Sequence, residues 1–174
     1  ELETLSPDAW RSLISGVRQQ KPDLRFFAWT PGTAFETRRA LGPAGFDASF
    51  SSLAWWNFQE GWFAEEHEAQ IGFGRETAFP EGPFSKRVAH GTDSAEVLER
   101  RAERALKLAA SLGSGLMVPM GFEYGAATPL DPTHGNGGGL RILRDRPTFD
   151  LSGAIRTANE TLKQSGDFEK QPLG

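Results

Sequence analysis

Apolar residues along this chain follow two alternating patterns: short continuous runs, and longer stretches in which they recur every three or four positions. The runs predict β-strands, and the helical spacing predicts α-helices with one buried face. Strands are predicted at 24–30, 46–53, 76–80 and 115–120. Helices are predicted from Ser6-Pro7-Asp8 to Lys21, and at 33–41, 64–71, 94–112 and 152–164. This alternation predicts an α/β fold of four βα units on a mainly parallel sheet.

The segment Gly115–Gly125 is the centre of this pattern. Its apolar run predicts a buried strand, and Pro119 and Gly121 predict a tight turn after it. This strand would bring Glu123 and Tyr124 to the rim of the sheet. The following segment, 126–139, is rich in proline and glycine and predicts a long loop, which in a compact domain is usually functional or mobile.

Length, composition and charge indicate the domain organisation, the partners and the location of the chain. A chain of 174 residues with 38% hydrophobic residues predicts one globular domain over 1–174, with a flexible tail at 166–174. A net charge of −4 gives no reason to expect nucleic acid as a partner. No apolar stretch approaches the roughly 20 residues of a membrane helix, and the N-terminus is no signal peptide. We therefore expect a cytoplasmic protein without a membrane partner.

The sequence contains no motif for metal binding, for a phosphate-binding loop or for a serine nucleophile. There are no cysteines, and the three histidines, at 67, 90 and 134, have no metal-ligand spacing. The glycine run at 135–139 lacks the Gly-Lys-Ser/Thr ending of a phosphate-binding loop, and no Gly-x-Ser-x-Gly nucleophile motif occurs. We therefore expect neither a metal nor another cofactor.

Four segments resemble a known family. Gly121-Phe122-Glu123-Tyr124-Gly125 resembles the Gly-aromatic-Glu-aromatic-Gly motif after strand eight in the (β/α)8 barrels of the α-amylase superfamily, glycoside hydrolase family 13. That family includes maltosyl-transferring enzymes of glycogen and α-glucan metabolism. Strands five, six and seven are similar to the segments 26–29, 46–52 and 79–87, and the start of the last barrel helix is similar to 149–151. The resemblance implies half of a TIM-type barrel, strands five to eight.

The chain departs from this family at the catalytic positions. Family enzymes use a carboxylate nucleophile after strand four, a Glu acid/base after strand five and a His-Asp pair after strand seven. Strand four would precede residue 1, Trp29 matches the acid/base, and Pro83 and Phe84 match the His-Asp pair. A retaining mechanism needs two carboxyl groups about 5 Å apart. The resemblance therefore implies a degenerate active site that does not cleave glycosidic bonds.

A sugar-binding cleft is still chemically reasonable, because parallel sheets bind ligands at the carboxyl ends of their strands. Indole faces stack on sugar C–H faces, while carboxylates and guanidinium groups bind hydroxyls. The substrate-binding candidates expected at these strand ends are Trp29, Trp55, Trp56, Glu81, Arg87, Glu123 and Tyr124. Each also has a structural alternative: the tryptophans as core residues, Glu81 and Arg87 as an ion pair, and Glu123 as an acceptor of backbone N–H groups.

These observations lead to a functional hypothesis and two alternatives. We expect a non-catalytic accessory domain of an α-glucan-active, maltosyltransferase-like protein, which binds an α-glucan or maltooligosaccharide or supports the catalytic domain. The alternatives are a glycoside hydrolase or transglycosylase completed by another segment or subunit, and a purely structural domain. Half a barrel exposes sheet edges and one sheet face. A homodimer, docking on a catalytic domain, or the chain's own leading helix and aromatic loop would cover them, and we expect association.

Overall fold

The structure, a computed structural model, describes residues 2–70, 73–91, 93–131, 133 and 137–164. These residues form six α-helices: α1 Pro7–Gln20, α2 Phe35–Leu41, α3 Trp62–Gln70, α4 Ala95–Leu112, α5 Gly137–Asp145 and α6 Ser152–Gln164. The strands are β1 Phe27–Ala28, β2 Ala48–Phe50, β3 Arg75–Ala78 and β4 Gly115–Leu116. Short 3₁₀ helices lie at Leu2–Thr4, Gly42–Ala44, Leu53–Trp55 and Phe122–Tyr124.

The four strands form one sheet in the order β1-β2-β3-β4. β1 pairs in parallel with β2, with Phe27 opposite Ala48, and β2 pairs in parallel with β3, with Ala48 opposite Arg75. The segment before β4 is joined to β3 by a hydrogen bond of 2.8 Å from the Ser114 N–H to the Glu76 carbonyl. The predicted α/β fold with a parallel sheet is confirmed, and it is consistent with half of a TIM-type barrel.

Two predicted strands are much shorter in the structure. The run at 24–30 contributes only Phe27–Ala28, because Leu24 and Arg25 are exposed and make no ladder. The run at 115–120 contributes only the half-buried Gly115–Leu116. Pro119 has no N–H to donate to a ladder, so the strand cannot pair through this position, and the observed strand already ends at Leu116. The prediction of a long, buried central strand is therefore wrong.

The predicted loop at 126–139 is also wrong at its end, since α5 begins at Gly137. Three consecutive glycines have low helix propensity, which is why the sequence pattern predicts a loop. Leu140 and Leu143, one helical turn apart, compensate for this by packing over the turn at Gly121, where an added Cβ would lie 3.1 and 3.5 Å from their methyl groups. Tertiary packing thus overrides local propensity.

Helix starts, by contrast, follow the sequence closely. Ser6 accepts the Ala9 N–H at 3.2 Å and caps α1, as predicted. Asp150 accepts the Ser152 N–H at 2.8 Å at the start of α6. None of the helices in the described part of the chain is long and apolar enough to cross a membrane. The cytoplasmic location stays a prediction.

The chain divides into two compact units, each with its own core. The first unit contains the residues up to Ala78 and the segment Gly113–Gly115, and its core consists of Ile14, Ala28, Leu41, Ala44, Phe46 and Phe73. The second contains Phe79–Leu112 and the described residues from Leu116 on, and its core consists of Ala89, Leu98, Ala102, Leu106, Phe122, Phe149 and Leu151. The single domain over 1–174 stays a prediction, and the predicted tail at 166–174 lies outside the described residues.

Candidate functional site

A cleft of about 810 Å³ lies in the first unit, where the loops after β1 and β2 meet. Both strands end there because they run in parallel, so this is the sheet edge at which a ligand was expected. Its most informative lining residues are three indoles, one phenyl ring and two charged side chains: Trp29, Trp55, Trp62, Phe35, Arg38 and Glu66. The predicted candidates Trp29 and Trp55 therefore share one cleft.

Trp29 directly follows β1 and is 42% exposed. Its ring centroid lies 5.2 Å from that of Phe50 on the neighbouring strand, which supports one side of the indole. The next four residues form a turn, in which the Thr33 N–H donates to the Thr30 carbonyl at 3.0 Å. Gly32 has φ +83°, and a glycine after a proline at this point fits a type II turn. The observed strand ends at Ala28, two residues before the predicted end at 30.

The other two indoles come from the connection after β2. Trp55 ends the 3₁₀ helix Leu53–Trp55, is 46% exposed, and donates its backbone N–H to the Ser52 carbonyl at 3.0 Å. Trp62 begins α3, and its indole Nε1–H donates to a Glu60 carboxylate oxygen at 3.1 Å. Both rings therefore lie on backbone turns that local hydrogen bonds stabilise.

A buried ion pair between α2 and α3 lies beneath the indoles. Arg38 Nη1 is 2.8 Å from Glu66 Oε2, and both side chains are 2% exposed. Arg38 also donates from Nε to the Thr33 carbonyl at 3.0 Å and from Nη2 to the Thr30 carbonyl at 2.7 Å. The other Glu66 oxygen accepts the Ser52 N–H at 2.6 Å. Both carboxylate oxygens of Glu66 are thus already bound.

Sequence reasoning missed this ion pair, although a signal exists. On α3, Phe63, Glu66, His67 and Gln70 have the spacing of a buried stripe, yet three of the four are polar. On α2, Arg38 lies between Phe35 and Leu41 at helical spacing. Polar residues at positions where the period expects apolar ones indicate a buried network.

His67 belongs to the same buried face of α3. Its Nδ1 lies 2.9 Å from Glu76 Oε2 on β3, and both side chains are buried. This contact joins one histidine to one carboxylate. Within the described ranges, no group of three His, Cys, Asp or Glu side chains could hold a metal ion.

Trp56 has a packing role in the structure. Its ring stacks on that of Phe63 with centroids 4.7 Å apart, and its indole N–H donates to the Glu60 carbonyl at 2.8 Å. It is half-buried and is not among the lining residues of the cleft. In the structure Trp56 therefore packs against other protein groups, as in the structural alternative. Its predicted contact with a sugar stays a prediction.

In the second unit, Glu81 and Arg87 form the ion pair that was the structural alternative. The Arg87 Nε–H donates to one Glu81 oxygen, and the other accepts the Val88 N–H at 2.6 Å. Arg87 Nη2 donates to the Met120 carbonyl at 3.2 Å, and both side chains are buried. Burial raises the pKa of Glu81, and the Val88 N–H and Arg87 oppose this rise only in part. Ligand binding by either residue stays a prediction.

Glu123 and Tyr124 lie on the 3₁₀ helix Phe122–Tyr124, and both are half-buried. Gly121 and Gly125 on either side have φ of +86° and +76°, which confirms the predicted tight turn. The Glu123 carbonyl accepts the Leu151 N–H at 2.8 Å, and the Tyr124 carbonyl accepts the Thr148 N–H at 3.1 Å. Within the described residues the Glu123 carboxylate accepts no backbone N–H, so the predicted structural role belongs to its carbonyl.

The three residues that the resemblance matches to catalytic positions have different surroundings. Trp29 lines the cleft in the first unit. In the second unit, Pro83 is buried and its carbonyl accepts the Leu130 N–H at 3.0 Å, whereas Phe84 is 61% exposed. None of the three side chains can transfer a proton.

Comparison with known proteins adds one relative. The chain is 43% identical over 152 residues to a Burkholderia pseudomallei protein named alpha-1,4-glucan:maltose-1-phosphate maltosyltransferase. This chain is thus similar to one segment of a maltosyltransferase. The match covers 86% of this chain but 13% of that protein, so the name describes a much longer molecule. The chain matches no protein-family model. The relative supports the predicted link to an α-glucan enzyme family.

Proposed function

We propose that this chain is a non-catalytic, α-glucan-binding domain of a maltosyltransferase-like protein of the α-amylase superfamily. The observation that carries the proposal is the cleft of the first unit, in which Trp29, Trp55 and Trp62 surround a buried ion pair at the carboxyl ends of two parallel strands. The glucan as ligand follows from the relative, whose name contains one.

The cleft has the size and chemistry of a sugar site. Its volume of about 810 Å³ lies within the roughly 300–1,000 Å³ of small-ligand sites. Indoles present flat apolar faces to the C–H groups of a glucose ring, and at 42% and 46% exposure Trp29 and Trp55 retain accessible surface. Because the indole rings are rigid, a sugar can stack on them with little rearrangement. Such a surface suits a ligand made of repeating sugar units.

Three carboxylates line the cleft: Glu3 and Glu36 are exposed, and Glu66, the one in the ion pair, is buried and fully bound, which favours binding over turnover at that residue. A general acid must lie within hydrogen-bond distance of the substrate atom that it protonates. Glu66 is 2% exposed, and its two oxygens are bound to Arg38 and to the Ser52 N–H. Glu3 accepts the Ala34 N–H at 3.4 Å, before the first turn of α2. The residue at the family's acid/base position is Trp29.

Calorimetric titration with maltoheptaose tests the proposal. We expect saturable binding in the millimolar range or tighter, about −4 kcal/mol or more favourable. Trp29→Ala should weaken it at least tenfold, roughly 1.4 kcal/mol. Phe27→Ala is the matched control, because Phe27 lies on β1 two residues before Trp29, is 59% exposed and does not line the cleft. Wild-type protein that binds no maltoheptaose at millimolar concentration would support a purely structural domain instead.

The enzymatic alternative has a separate test. Wild-type protein is incubated with maltoheptaose, and released sugar is measured. The proposal expects no release. Turnover that disappears in Glu81→Gln or Glu123→Gln would contradict the non-catalytic reading and would give those predicted residues a catalytic role.

Association with another copy or with a catalytic domain remains part of the proposal. β1 is the end strand of the sheet, and Phe27 on it is 59% exposed, so this edge has apolar surface available for a partner. Light scattering of the chain alone gives the mass of a dimer if two copies associate, and the mass of a monomer if the partner is a different domain.

A further inference from the structure

The two loops that carry Trp29 and Trp55 are joined by more than their shared cleft. On the Trp29 side, the guanidinium group of Arg38 binds both ends of the turn that follows the indole. Its Nη2 donates to the Thr30 carbonyl at 2.7 Å, and its Nε donates to the Thr33 carbonyl at 3.0 Å. The rigid, forked geometry of a guanidinium group allows these bonds at the same time as an ion pair.

On the Trp55 side, Glu66 plays the corresponding role. Its Oε1 accepts the Ser52 N–H at 2.6 Å, and the Ser52 carbonyl in turn accepts the Trp55 N–H at 3.0 Å. The 3₁₀ helix that ends at Trp55 therefore starts from a residue that Glu66 holds by its backbone. Hydrogen bonds between a carboxylate and backbone N–H groups are stronger than those between neutral groups.

We infer that the Arg38–Glu66 ion pair positions Trp29 and Trp55 relative to each other. The 2.8 Å contact between Arg38 Nη1 and Glu66 Oε2 completes a continuous path from the turn after one indole to the turn before the other. The inference rests on the proposed function for the ligand, since the spacing of the two rings would decide how well a glucan fits.

Both charged residues act through the backbone and are positioning residues. At 2% exposure neither has surface left for a sugar hydroxyl. Arg38 Nε and Nη2 and Glu66 Oε1 are hydrogen-bonded to the two turns, while Arg38 Nη1 meets Glu66 Oε2 as an ion-pair contact without hydrogen-bond geometry. A buried pair of this kind is weak grounds for a stabilising role alone, because desolvation cancels much of the attraction. Its specific geometry is better explained by the spacing that it sets.

The test uses the intact chain labelled with 5-fluorotryptophan, which gives a ¹⁹F resonance for each of the five tryptophans. Each resonance is assigned with a single Trp→Phe variant. Arg38→Lys keeps the charge but replaces the three nitrogens of the planar fork by a single one, which cannot occupy all three of their positions, and Glu66→Gln keeps an acceptor for Ser52 but loses the ion pair. Because each residue touches one loop directly, the resonance of the other loop's tryptophan is the decisive one.

We expect Arg38→Lys to move the Trp55 resonance and Glu66→Gln to move that of Trp29, while Trp10 stays unchanged. Trp10 is a suitable reference, since it packs on the core residue Phe46 with ring centroids 5.4 Å apart. Arg18→Lys is the matched control, because Arg18 also binds a carbonyl and a carboxylate, those of Gly45 and Asp47, each at 2.7 Å, and does not line the cleft. It should leave Trp29 and Trp55 unchanged.

Two outcomes would overturn the inference. In the first, each variant moves only the tryptophan of its own loop, so the loops are independent. In the second, all five resonances move together, which indicates general loosening of the unit. If Arg38→Lys does not fold, Glu66→Gln alone decides by the Trp29 resonance. These spectra need no ligand, so they remain informative if maltoheptaose does not bind. If it does bind, Arg38→Lys should weaken it about tenfold.

Discussion

Two buried Arg–Glu ion pairs among the described residues have similar chemistry and different surroundings. In the second unit, Glu81 and Arg87 are six residues apart in one connection, and they bind the Val88 N–H and the Met120 carbonyl. In the first unit, Arg38 and Glu66 lie on two different helices and bind the turns that carry Trp29 and Trp55. The pair in the second unit lies within one connection and also binds the turn at Met120, whereas the other joins the two loops that carry Trp29 and Trp55.

This difference shows that burial of a charged pair does not by itself identify a functional site. Removal of a buried charge from water costs several kcal/mol per ion, so both pairs need well-placed hydrogen bonds to persist. What distinguishes Arg38–Glu66 is its place beneath a cleft with three exposed or half-buried indoles. The environment of a pair, more than its geometry, therefore indicates its role.

The largest expected effect comes from breaking the first pair. Arg38→Met leaves the Glu66 carboxylate buried without its cation, which should lower the free energy of unfolding by about 3–5 kcal/mol. Urea unfolding followed by tryptophan fluorescence reports this unit, because all five tryptophans lie before Ala78. Arg87→Met, followed by circular dichroism, should cost less, since burial already raises the pKa of Glu81 and the carboxyl can take up a proton.

An exposed pair in the same unit provides the control for Arg38→Met. Arg11 and Asp8 are 2.7 Å apart with side chains 52% and 86% exposed, so Arg11→Met should cost no more than about 1 kcal/mol. Equal losses in Arg38→Met and Arg11→Met would contradict the account of a buried, positioned pair.

A smaller effect should come from the glycines of the two turns. Gly125 has φ +76°, and an added Cβ would lie 2.9 Å from Thr148 Cβ, so Gly125→Ala combines backbone strain with overlap and should cost about 2–4 kcal/mol. Gly32 has φ +83° with nothing within 4 Å, so Gly32→Ala should cost only about 1–2 kcal/mol. Urea unfolding measures both.

The control for these glycines is Gly16 in α1, where an added Cβ meets nothing within 4 Å and φ is not positive. Gly16→Ala should stabilise the chain by up to about 1 kcal/mol, because alanine is the better helix former. A Gly125→Ala variant no less stable than Gly32→Ala would mean that the turn at 121–125 adapts to a side chain.

The pH dependence of stability should differ in sign between Asp47 in the first unit and Glu81 in the second. Burial opposes ionisation of Asp47, but hydrogen bonds from the Phe26 N–H, Arg18 and Arg25 outweigh it and hold its pKa below the ordinary value. Its stabilising contribution is therefore present above the unfolded pKa, about 3.9, and is lost as the pH falls below it. Burial raises the pKa of Glu81, so its contribution is present below about 4.3 and is lost as the pH rises through the raised value.

Urea unfolding measured between roughly pH 3 and pH 7, the range in which carboxyl groups titrate, tests these opposite pH dependences. The stability advantage of wild type over Asp47→Asn should shrink as the pH falls. The difference between wild type and Glu81→Gln should move against wild type as the pH rises. Parallel pH profiles for the two variants would contradict the opposite environments of the two carboxyls.

Local signals explain which parts of the fold could be predicted. Ser6 at the start of α1 and Gly121 in the turn before the 3₁₀ helix each act through their own backbone, so the sequence predicts them correctly. The start of α5 could not be predicted, because it depends on the packing of Leu140 and Leu143 over a turn elsewhere in the second unit. Strand lengths were overestimated for a similar reason, since apolar runs continue where pairing stops.

In the candidate site, too, some residues could be predicted from the local sequence and others depend on contacts between distant segments. Trp29 and Trp55 could be predicted because each follows a strand, and parallel strands end at one edge. The helical spacing of Arg38 and Glu66 indicates that both are buried, but their pairing could not be predicted, since nothing in a single sequence says that two helices will face each other at these positions. Trp56 is predicted to bind sugar because it neighbours Trp55. In the structure, its side chain packs on Phe63, although the two tryptophans are adjacent in sequence.

A crystal structure of the chain with maltoheptaose tests the central claim most directly. The account predicts a glucose unit stacked on the indole of Trp29 or Trp55 within the cleft of the first unit, with the Arg38–Glu66 contact unchanged beneath it. Sugar bound beside Glu81, Arg87 or Glu123, with the tryptophan cleft empty at saturating maltoheptaose, would contradict it.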